Sequence, residues 1–229
     1  MSPTDVVYRD RRHAGRMLAP SLTGYARRPD VIVLALPRGG VPVAYEVARA
    51  LHAPLDVFLV RKLGVPGHEE LAMGALASGG VKVLNPNVIH MLGIDEAAIE
   101  AEIRAEQAEL DRREKLYREG LPPPEVKNRS VILVDDGLAT GATMMAAVKA
   151  LKVQQPARLV VAVPTASREV CEQLRSEADE VVCASMPDPL RSVGRWYEDF
   201  TQTDDDEVRA LLAEARQFQP EADPRGNTR

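Results

Sequence analysis

One stretch of the chain constrains its fold more than any other: residues 130–143, which read SVILVDDGLATGAT. The four apolar residues at 131–134 predict a strand that is buried on both faces, as in a parallel sheet. Two acids, Asp135 and Asp136, follow this strand at once. Residues 139–143 then open a helix whose apolar positions recur at helical spacing. Because open α/β sheets bind ligands beyond the carboxyl ends of their strands, the motif predicts a binding site there.

The turn after the acids has the chemistry of a cradle for a phosphate monoester. The N-terminus of a helix favours an anion, and Gly141 lets the backbone approach it closely. Thr140 and Thr143 add hydroxyl donors. A carboxylate beside a phosphate would repel it, so the acids make sense if they accept hydrogen bonds from a sugar diol or hold a divalent cation. Together these groups describe a site for ribose 5-phosphate, and the alternative is a plain strand–turn–helix with a solvated acid pair.

A second strand, turn and helix repeats this arrangement nearer the start of the chain. Residues 31–36 are apolar and end in Pro-Arg-Gly-Gly, and a helix is predicted to follow. Gly39 and Gly40 permit backbone conformations that other residues resist, and their N–H groups can face an anion. Arg38 offers a fork of donors for phosphate oxygens. Alone, this pattern is typical of an ordinary βα turn, but beside residues 130–143 it predicts a second anion site at the same sheet edge.

The alternation of apolar strands and helices along the chain predicts an α/β fold, with a mostly parallel central sheet flanked by helices. Residues 61–70 are predicted to form an exposed loop, and residues 95–119 a long helix that is an insertion or a partner surface. Residues 1–28 are predicted to be a helix with a loose start, which buries Met17, Leu18 and Leu22. We expect one domain over residues 1–218 and a disordered tail over residues 219–229.

Composition excludes several classes of function. The net charge of −5 over 229 residues argues against a nucleic-acid binder. No apolar run is long enough for a membrane helix, the N-terminus lacks the apolar core of a signal peptide, and we expect a cytoplasmic protein. Cys171 and Cys183 are interpreted as small core residues without a disulfide or a metal. Arg9, Arg11 and Arg12 are interpreted as a solvated basic face, and the alternative is that they help to attract a polyanion.

The segment VILVDDGLATGAT resembles the phosphoribosyl pyrophosphate motif of the type I phosphoribosyltransferases, and the resemblance extends more weakly from about residue 31 to 200. It implies the α/β fold of that family, Mg²⁺ as cofactor and phosphoribosyl pyrophosphate as substrate. Asp135 and Asp136 would hold the ribose hydroxyls and the metal, directly or through water. The 5-phosphate would be held by the turn of Ala139, Thr140, Gly141, Ala142 and Thr143. The departing pyrophosphate would be bound by Arg38, Gly39 and Gly40.

The resemblance also implies a mobile loop and a hood around the reaction centre. Lys62 is the candidate cation on the loop, and a solvated lysine is the alternative. The hood is predicted over residues 186–200, where Val193 and Trp196 are candidates for contact with the base and Glu198 matches a metal-holding acid. The aromatic residues near 196 can instead be the small core of a subdomain.

The acceptor is the part of the reaction that the resemblance leaves open. Enzymes for 6-oxopurines have an Asp in the phosphate loop where this chain has Ala139, so the adenine and uracil types are more similar there. An assisting acid of the adenine type could be Glu69 or Glu70. We therefore expect a phosphoribosyltransferase whose small-molecule acceptor is a nucleobase. We expect it to form a homodimer and to have no nucleic-acid or membrane partners. The alternative is a regulatory protein that senses phosphoribosyl pyrophosphate or a nucleotide and transfers nothing.

Overall fold

The structure of the chain is a computed structural model that describes residues 7–218, apart from the side chains of Glu69 and Glu70. The strands of this part are β1 (Val31–Ala35), β2 (Leu55–Val57), β3 (Val60–Val65), β4 (His68–Ala77), β5 (Val81–Leu84), β6 (Ser130–Val134), β7 (Arg158–Thr165) and β8 (Glu180–Ser185). The α-helices are α1 (Arg11–Leu18), α2 (Gly40–Leu51), α3 (Pro86–Leu92), α4 (Glu96–Arg118), α5 (Ala142–Val153), α6 (Arg168–Arg175) and α7 (Asp205–Ala215). Short 3₁₀ helices span Ala19–Tyr25, Val193–Trp196 and Arg216–Phe218. The prediction for the tail at 219–229 lies outside the described residues.

A five-stranded parallel sheet in the order β2-β1-β6-β7-β8 forms the centre of the fold and confirms the predicted α/β class. Every residue of β1 and β6 is buried. Because side chains alternate across a strand, Val31 and Val33 join the core under α2 and α7, whereas Ile32 and Leu34 join the core under α5 and α6. Strands buried on both faces explain the continuous apolar runs in the sequence.

Residues 61–70, which the sequence predicted to be an exposed loop, belong to a β-hairpin. β3 and β4 pair antiparallel around a turn at Pro66 and Gly67, and β5 completes a three-stranded sheet. Lys62 is exposed, whereas Leu63 and Met73 are fully buried in the main core. The loop prediction was wrong because β3 buries Leu63, Gly64 and Val65, whereas the continuous exposed stretch is the turn at 66–68.

The long helix α4 is confirmed and closely matches its predicted bounds. Asp95 caps it by accepting the amide N–H of Ala98 at 2.7 Å. Leu110 and Tyr117 are buried, and the helix packs against the hairpin and α7. Three acid–base pairs at i,i+4 spacing form along it: Glu100–Arg104, Glu109–Arg113 and Glu114–Arg118.

Two smaller predictions were wrong. Met17 is half exposed, because the buried face of α1 consists of Ala14, Gly15 and Leu18, whereas Leu22 is buried in the 3₁₀ helix that follows. Cys171 of α6 and Cys183 of β8 form a disulfide rather than two separate thiols. Their pairing depends on the packing of α6 against β8, which the sequence spacing does not reveal.

Within residues 7–218, no helix has both the length and the apolar content to cross a bilayer.

Candidate active site

The acid pair and the glycine turn lie against each other at the carboxyl edge of the sheet. β1 and β6 pair in parallel with Ala35 opposite Val134, so the turn after β1 begins beside the acids after β6. The amide of Leu36 donates to the Val134 carbonyl at 2.9 Å and extends this pairing. A Cβ built on Gly39 would lie 2.1 Å from Oδ2 of Asp136. The Asp136 carboxylate therefore occupies the space that a side chain at position 39 would fill.

Gly39 and Gly40 are needed in this turn because a side chain at either position would collide with neighbouring atoms. Gly39 has φ −58° and ψ −32°, a helical conformation that any residue can adopt. A Cβ on Gly40 would lie 2.8 Å from the carbonyl oxygen of Val134 and 3.0 Å from Cα of Asp135. The prediction that these glycines supply unusual backbone conformations was wrong, because the constraint is the close approach of the acid-bearing strand.

Residues 139–143 form the turn into α5, where the motif predicts the phosphate cradle. Gly141 is the N-cap of α5 and has φ +69°, a left-handed conformation that favours glycine. A Cβ there would also lie 2.5 Å from Cγ1 of Val170. The first N–H groups of a helix have no partner within it, so this turn presents backbone donors at the sheet edge. Its other residues, with exposed side chains, are Ala139, Thr140, Ala142 and Thr143.

Burial makes the acid pair costly to ionise. It raises the pKa of Asp135 well above the ordinary value, and the negative charge of Asp136 raises that pKa further. Burial also raises the pKa of Asp136, against the lowering effect of its hydrogen bond with Arg11. Oδ1 of Asp135 accepts the amide N–H of Asp136 at 2.8 Å. A cation or a sugar diol that reaches the pair would offset part of this cost.

Arg11, in the first turn of α1, contacts the acid pair, a position that the sequence analysis did not predict. Its Nε donates to Oδ2 of Asp136 at 2.7 Å, and its Nη1 donates to the Thr201 carbonyl at 2.6 Å. The guanidinium also lies 3.9 Å from the ring centre of Phe200. The interpretation as a solvated basic residue was wrong, since the Arg11 side chain is only 10% exposed. No local signal could have found it, because these partners lie 125 and 190 residues away.

The hood over this edge combines residues from both ends of the described chain. The amide of Tyr8 donates to the Trp196 carbonyl, and the amide of Glu198 donates to the Tyr8 carbonyl, each at 2.8 Å. The Tyr197 hydroxyl donates to the Asp136 carbonyl at 2.5 Å. Burial raises the pKa of Tyr197, so its hydroxyl remains a donor. These bonds fix the hood to the acid-bearing turn.

The two residues predicted to contact a base pack against the same hydrophobic cluster of the hood. Val193 lies over the turn after the acids, because a Cβ on Gly137 would lie 2.6 Å from Cγ1 of Val193. Val193 and Trp196 are both partly buried and pack against the cluster around Tyr8 and Tyr197. Contact of a base with Val193 or Trp196 stays a prediction.

The two predicted cations, Arg38 and Lys62, lie on different elements. Nη1 of Arg38 is 3.9 Å from Oδ1 of Asp205 at the start of α7. Lys62 lies on β3 and lines a groove between the hairpin and α4, together with Glu102 and Glu106. The roles of Arg38 and Lys62 toward pyrophosphate stay predictions. The side chains of Glu69 and Glu70, the candidate assisting acids, lie outside the described residues.

The acid pair has the donor chemistry of a Mg²⁺ site that a substrate would complete. Across residues 7–218, no group of three or more His, Cys, Asp or Glu side chains is placed to hold a metal. Asp135, Asp136 and the exposed Glu198 therefore do not form one cluster of three carboxylates. Mg²⁺ is typically bound by one or two carboxylates and completes its shell with substrate and water oxygens. Two carboxylates at a strand end fit that pattern.

The sequence of the chain matches the family described as "Phosphoribosyl transferase domain" over residues 10–195. The chain belongs to this family. Two proteins of Mycobacterium tuberculosis, from strains CDC 1551 / Oshkosh and ATCC 25618 / H37Rv, are each named a "putative phosphoribosyl transferase". Each is 44% identical to this chain over 225 residues, which cover 95% of the chain and 51% of the relative. The chain thus spans about half the length of these curated relatives.

A solved structure supports the fold of this phosphoribosyl transferase domain. The crystal structure of TT1426 from Thermus thermophilus is 46% identical, with a TM-score of 0.82. The match covers 91% of this chain and 99% of TT1426. The family match begins at Asp10 and so includes α1, which carries Arg11. The resemblance drawn from residues 31–200 is therefore confirmed and extends to the N-terminal helix.

Proposed function

We propose that this domain transfers a 5-phosphoribosyl group from phosphoribosyl pyrophosphate to a nitrogen acceptor, a nucleobase, and releases pyrophosphate. The observation that carries the proposal is the contact of the acid pair with the glycine turn, in which Asp136 fills the space beside Gly39. A site with two carboxylates between two anion-binding turns suits a substrate that has a sugar diol between two phosphate groups.

Each part of the site has a role in this reaction. Asp135 and Asp136 accept hydrogen bonds from the ribose hydroxyls, and residues 139–143 bind the 5-phosphate through N–H and hydroxyl donors. Mg²⁺, held by the acid pair, supplies positive charge that neutralises the pyrophosphate oxygens. As the bond to pyrophosphate breaks, the ribose carbon becomes oxocarbenium-like, and the two carboxylates stabilise that positive charge. The protein then contributes mainly position and charge.

The departing pyrophosphate and the acceptor lie on opposite sides of the ribose in this proposal. Arg38, Gly39 and Gly40 bind the pyrophosphate, and Lys62 reaches it when the hairpin closes over the site and excludes water. The acceptor lies under the hood, against Val193. Its nitrogen forms the new bond to the ribose carbon as the bond to pyrophosphate breaks.

We further propose a single cytoplasmic domain over residues 1–218 that acts as a homodimer. The cytoplasm follows from the substrate, because phosphoribosyl pyrophosphate and nucleobases are cytoplasmic metabolites. A dimer accords with the exposed apolar residues of the described surface, such as Met91 and Leu92 on α3.

The experiment that tests the function measures ligand binding and turnover with the same protein. Phosphoribosyl pyrophosphate should raise the melting temperature, and more so with Mg²⁺, since a ligand at 100 times its Kd stabilises by about 2.7 kcal/mol. A panel of nucleobases should then contain one that drives pyrophosphate release. No thermal shift at millimolar ligand would remove the phosphoribosyl proposal. Binding without pyrophosphate release for any base would favour the alternative, a sensor of the ligand.

Replacing Arg11 by Met should weaken the binding of magnesium–phosphoribosyl pyrophosphate by about tenfold, because Arg11 orients Asp136 and its charge attracts a polyanion. Calorimetry gives the Kd. The Kd of Arg11→Lys should lie between those of the wild type and Arg11→Met. Arg12→Met is the matched control, since Arg12 pairs with Glu46 and not with the acids. Tighter binding by Arg11→Met would show instead that Arg11 blocks the acid pair.

A further inference from the structure

A cavity of about 430 Å³ lies at the edge of the sheet opposite the acid pair. It is lined by the beginning of β2, by Arg129 just before β6, and by residues after α4 and on α7. β6 has five residues, so at about 3.3 Å per residue the strand places the cavity about 16 Å from the acids. The cavity is therefore separate from the proposed active site.

The walls of the cavity are suited to an apolar or planar group. Leu55 of β2 and Leu212 of α7 line it, and Leu121, after α4, lines it with a side chain that is 53% exposed. Tyr117 adds an aromatic ring whose hydroxyl donates to Asp205. Ligand sites of small molecules typically have about this volume and mostly apolar walls with a few polar groups.

The charges of the lining favour an anion. Asp56, the acid among the lining residues, is held at 3.2 Å by the buried Arg118, which also pairs with Glu114. Nη2 of Arg129 donates to the Val31 carbonyl at 2.9 Å and to the Pro29 carbonyl at 3.4 Å, and its Nε donates to the Asp30 carbonyl at 3.4 Å. None of the ion pairs found within residues 7–218 includes Arg129, so its positive charge has no carboxylate partner there. Arg216 has only a long pair, at 3.5 Å, and is 43% exposed. Two guanidinium groups beside an apolar wall thus remain able to bind an anion.

We propose that this cavity binds a small organic anion. Its carboxylate or phosphate group contacts Arg129 and Arg216, and its apolar or planar part packs on Leu55 and Leu212. Such a site is distinct from the phosphoribosyl site and does not depend on the proposed transfer reaction. Because Leu121 lines the cavity and is exposed, a charge placed there makes the proposal testable.

Phenyl phosphate is the probe, with benzoate to compare the two anionic groups and benzyl alcohol as the neutral ring. In methyl NMR spectra, the Leu55 and Leu212 signals should shift with either anion and much less with the alcohol. Leu121→Lys should tighten the binding of the better anion, and Leu121→Glu should weaken it, each by roughly two- to fivefold for a partly exposed charge pair. A folding defect would move both variants in the same direction.

Leu71, a 49% exposed leucine on β4 outside the cavity lining, gives the matched control pair. Leu71→Lys and Leu71→Glu should leave the affinity unchanged. Absence of shifts at Leu55 and Leu212 with both anions at millimolar concentration would overturn the proposal. So would Leu121 variants that do not differ in affinity, or an alcohol that binds as well as the anions.

Discussion

Replacing Asp135 by asparagine is expected to lower turnover by roughly 10²–10³-fold, the usual effect of removing one charge-stabilising group, while making the folded protein more stable at neutral pH. The amide keeps the shape of the carboxylate, and its oxygen can still accept the Asp136 N–H. The substitution removes a carboxylate whose ionisation is disfavoured by burial and by the charge of Asp136, the two causes that raise the pKa of Asp135. Calorimetric unfolding measures the stability, and pyrophosphate release measures the activity.

The pH dependence of this stability gain has a definite sign. Because the folded state raises the pKa of Asp135, that state binds the proton more readily than the unfolded chain does. This group's contribution to stability is then fully present below the unfolded pKa, and it is lost as the pH rises through the folded pKa. Asp135→Asn escapes the loss, so its advantage over the wild type should be absent in acid and appear as the pH rises toward neutral.

The double variant Asp135→Asn/Asp136→Asn provides the control for this explanation. It should also lose ligand binding and turnover. Its stability gain should be smaller than that of Asp135→Asn, since it leaves the nearly buried Arg11 without a carboxylate partner. Normal turnover in either variant would mean that the acids are structural. If Asp135→Asn were less stable than the wild type at neutral pH, the claim that burial makes ionisation of Asp135 costly would be contradicted.

Replacing Gly39 by alanine should reduce ligand affinity by about 100-fold with little effect on unfolding, as a displacement of about 1 Å can do in a site. The added Cβ would lie 2.1 Å from Oδ2 of Asp136, so the carboxylate must move. The backbone of Gly39 is helical and tolerates alanine. Calorimetry with magnesium–phosphoribosyl pyrophosphate measures the affinity.

Two other glycines separate this effect from general damage. Gly24→Ala adds a Cβ with no atom within 4 Å and should change neither affinity nor stability. Gly40→Ala meets the Val134 carbonyl at 2.8 Å, a backbone atom that cannot move easily, and should lower the melting temperature. Unchanged affinity in Gly39→Ala would show that the position of the Asp136 carboxylate does not matter for the ligand.

The sequence was most informative where local pattern and chemistry coincide. Four apolar residues followed by Asp135 and Asp136 defined a buried strand and a polar end, and the structure places both as predicted. The run could not show that Asp136 rests on Gly39, because that contact depends on the pairing of β1 with β6. Register between distant strands is a tertiary property.

Long-range contacts account for what the sequence did not reveal. Arg11 reads as one of several basic residues on a helix, and only its position against Asp136 gives it a role at the site. Lys62 is predicted by the sequence to lie in a charged loop, because β3 is short and exposes Lys62 just before its buried residues. For Arg11 the partner that defines its role is far away in sequence, whereas Lys62 pairs with Ala75 in the next strand of the hairpin.

The hydrogen bonds that connect the N-terminal segment and the acid-bearing turn to the hood have a consequence for synthesis of the chain. Asp136 leaves the ribosome 61 residues before Tyr197, its hood partner, which takes roughly 3–12 s at typical elongation rates. The interval is longer for Arg11, because its hydrogen-bond partner Thr201 is synthesised 190 residues later. During this interval the nascent chain has its acid pair but no hood. Premature termination before about residue 196 would therefore leave a chain with most of its sheet and an incomplete site.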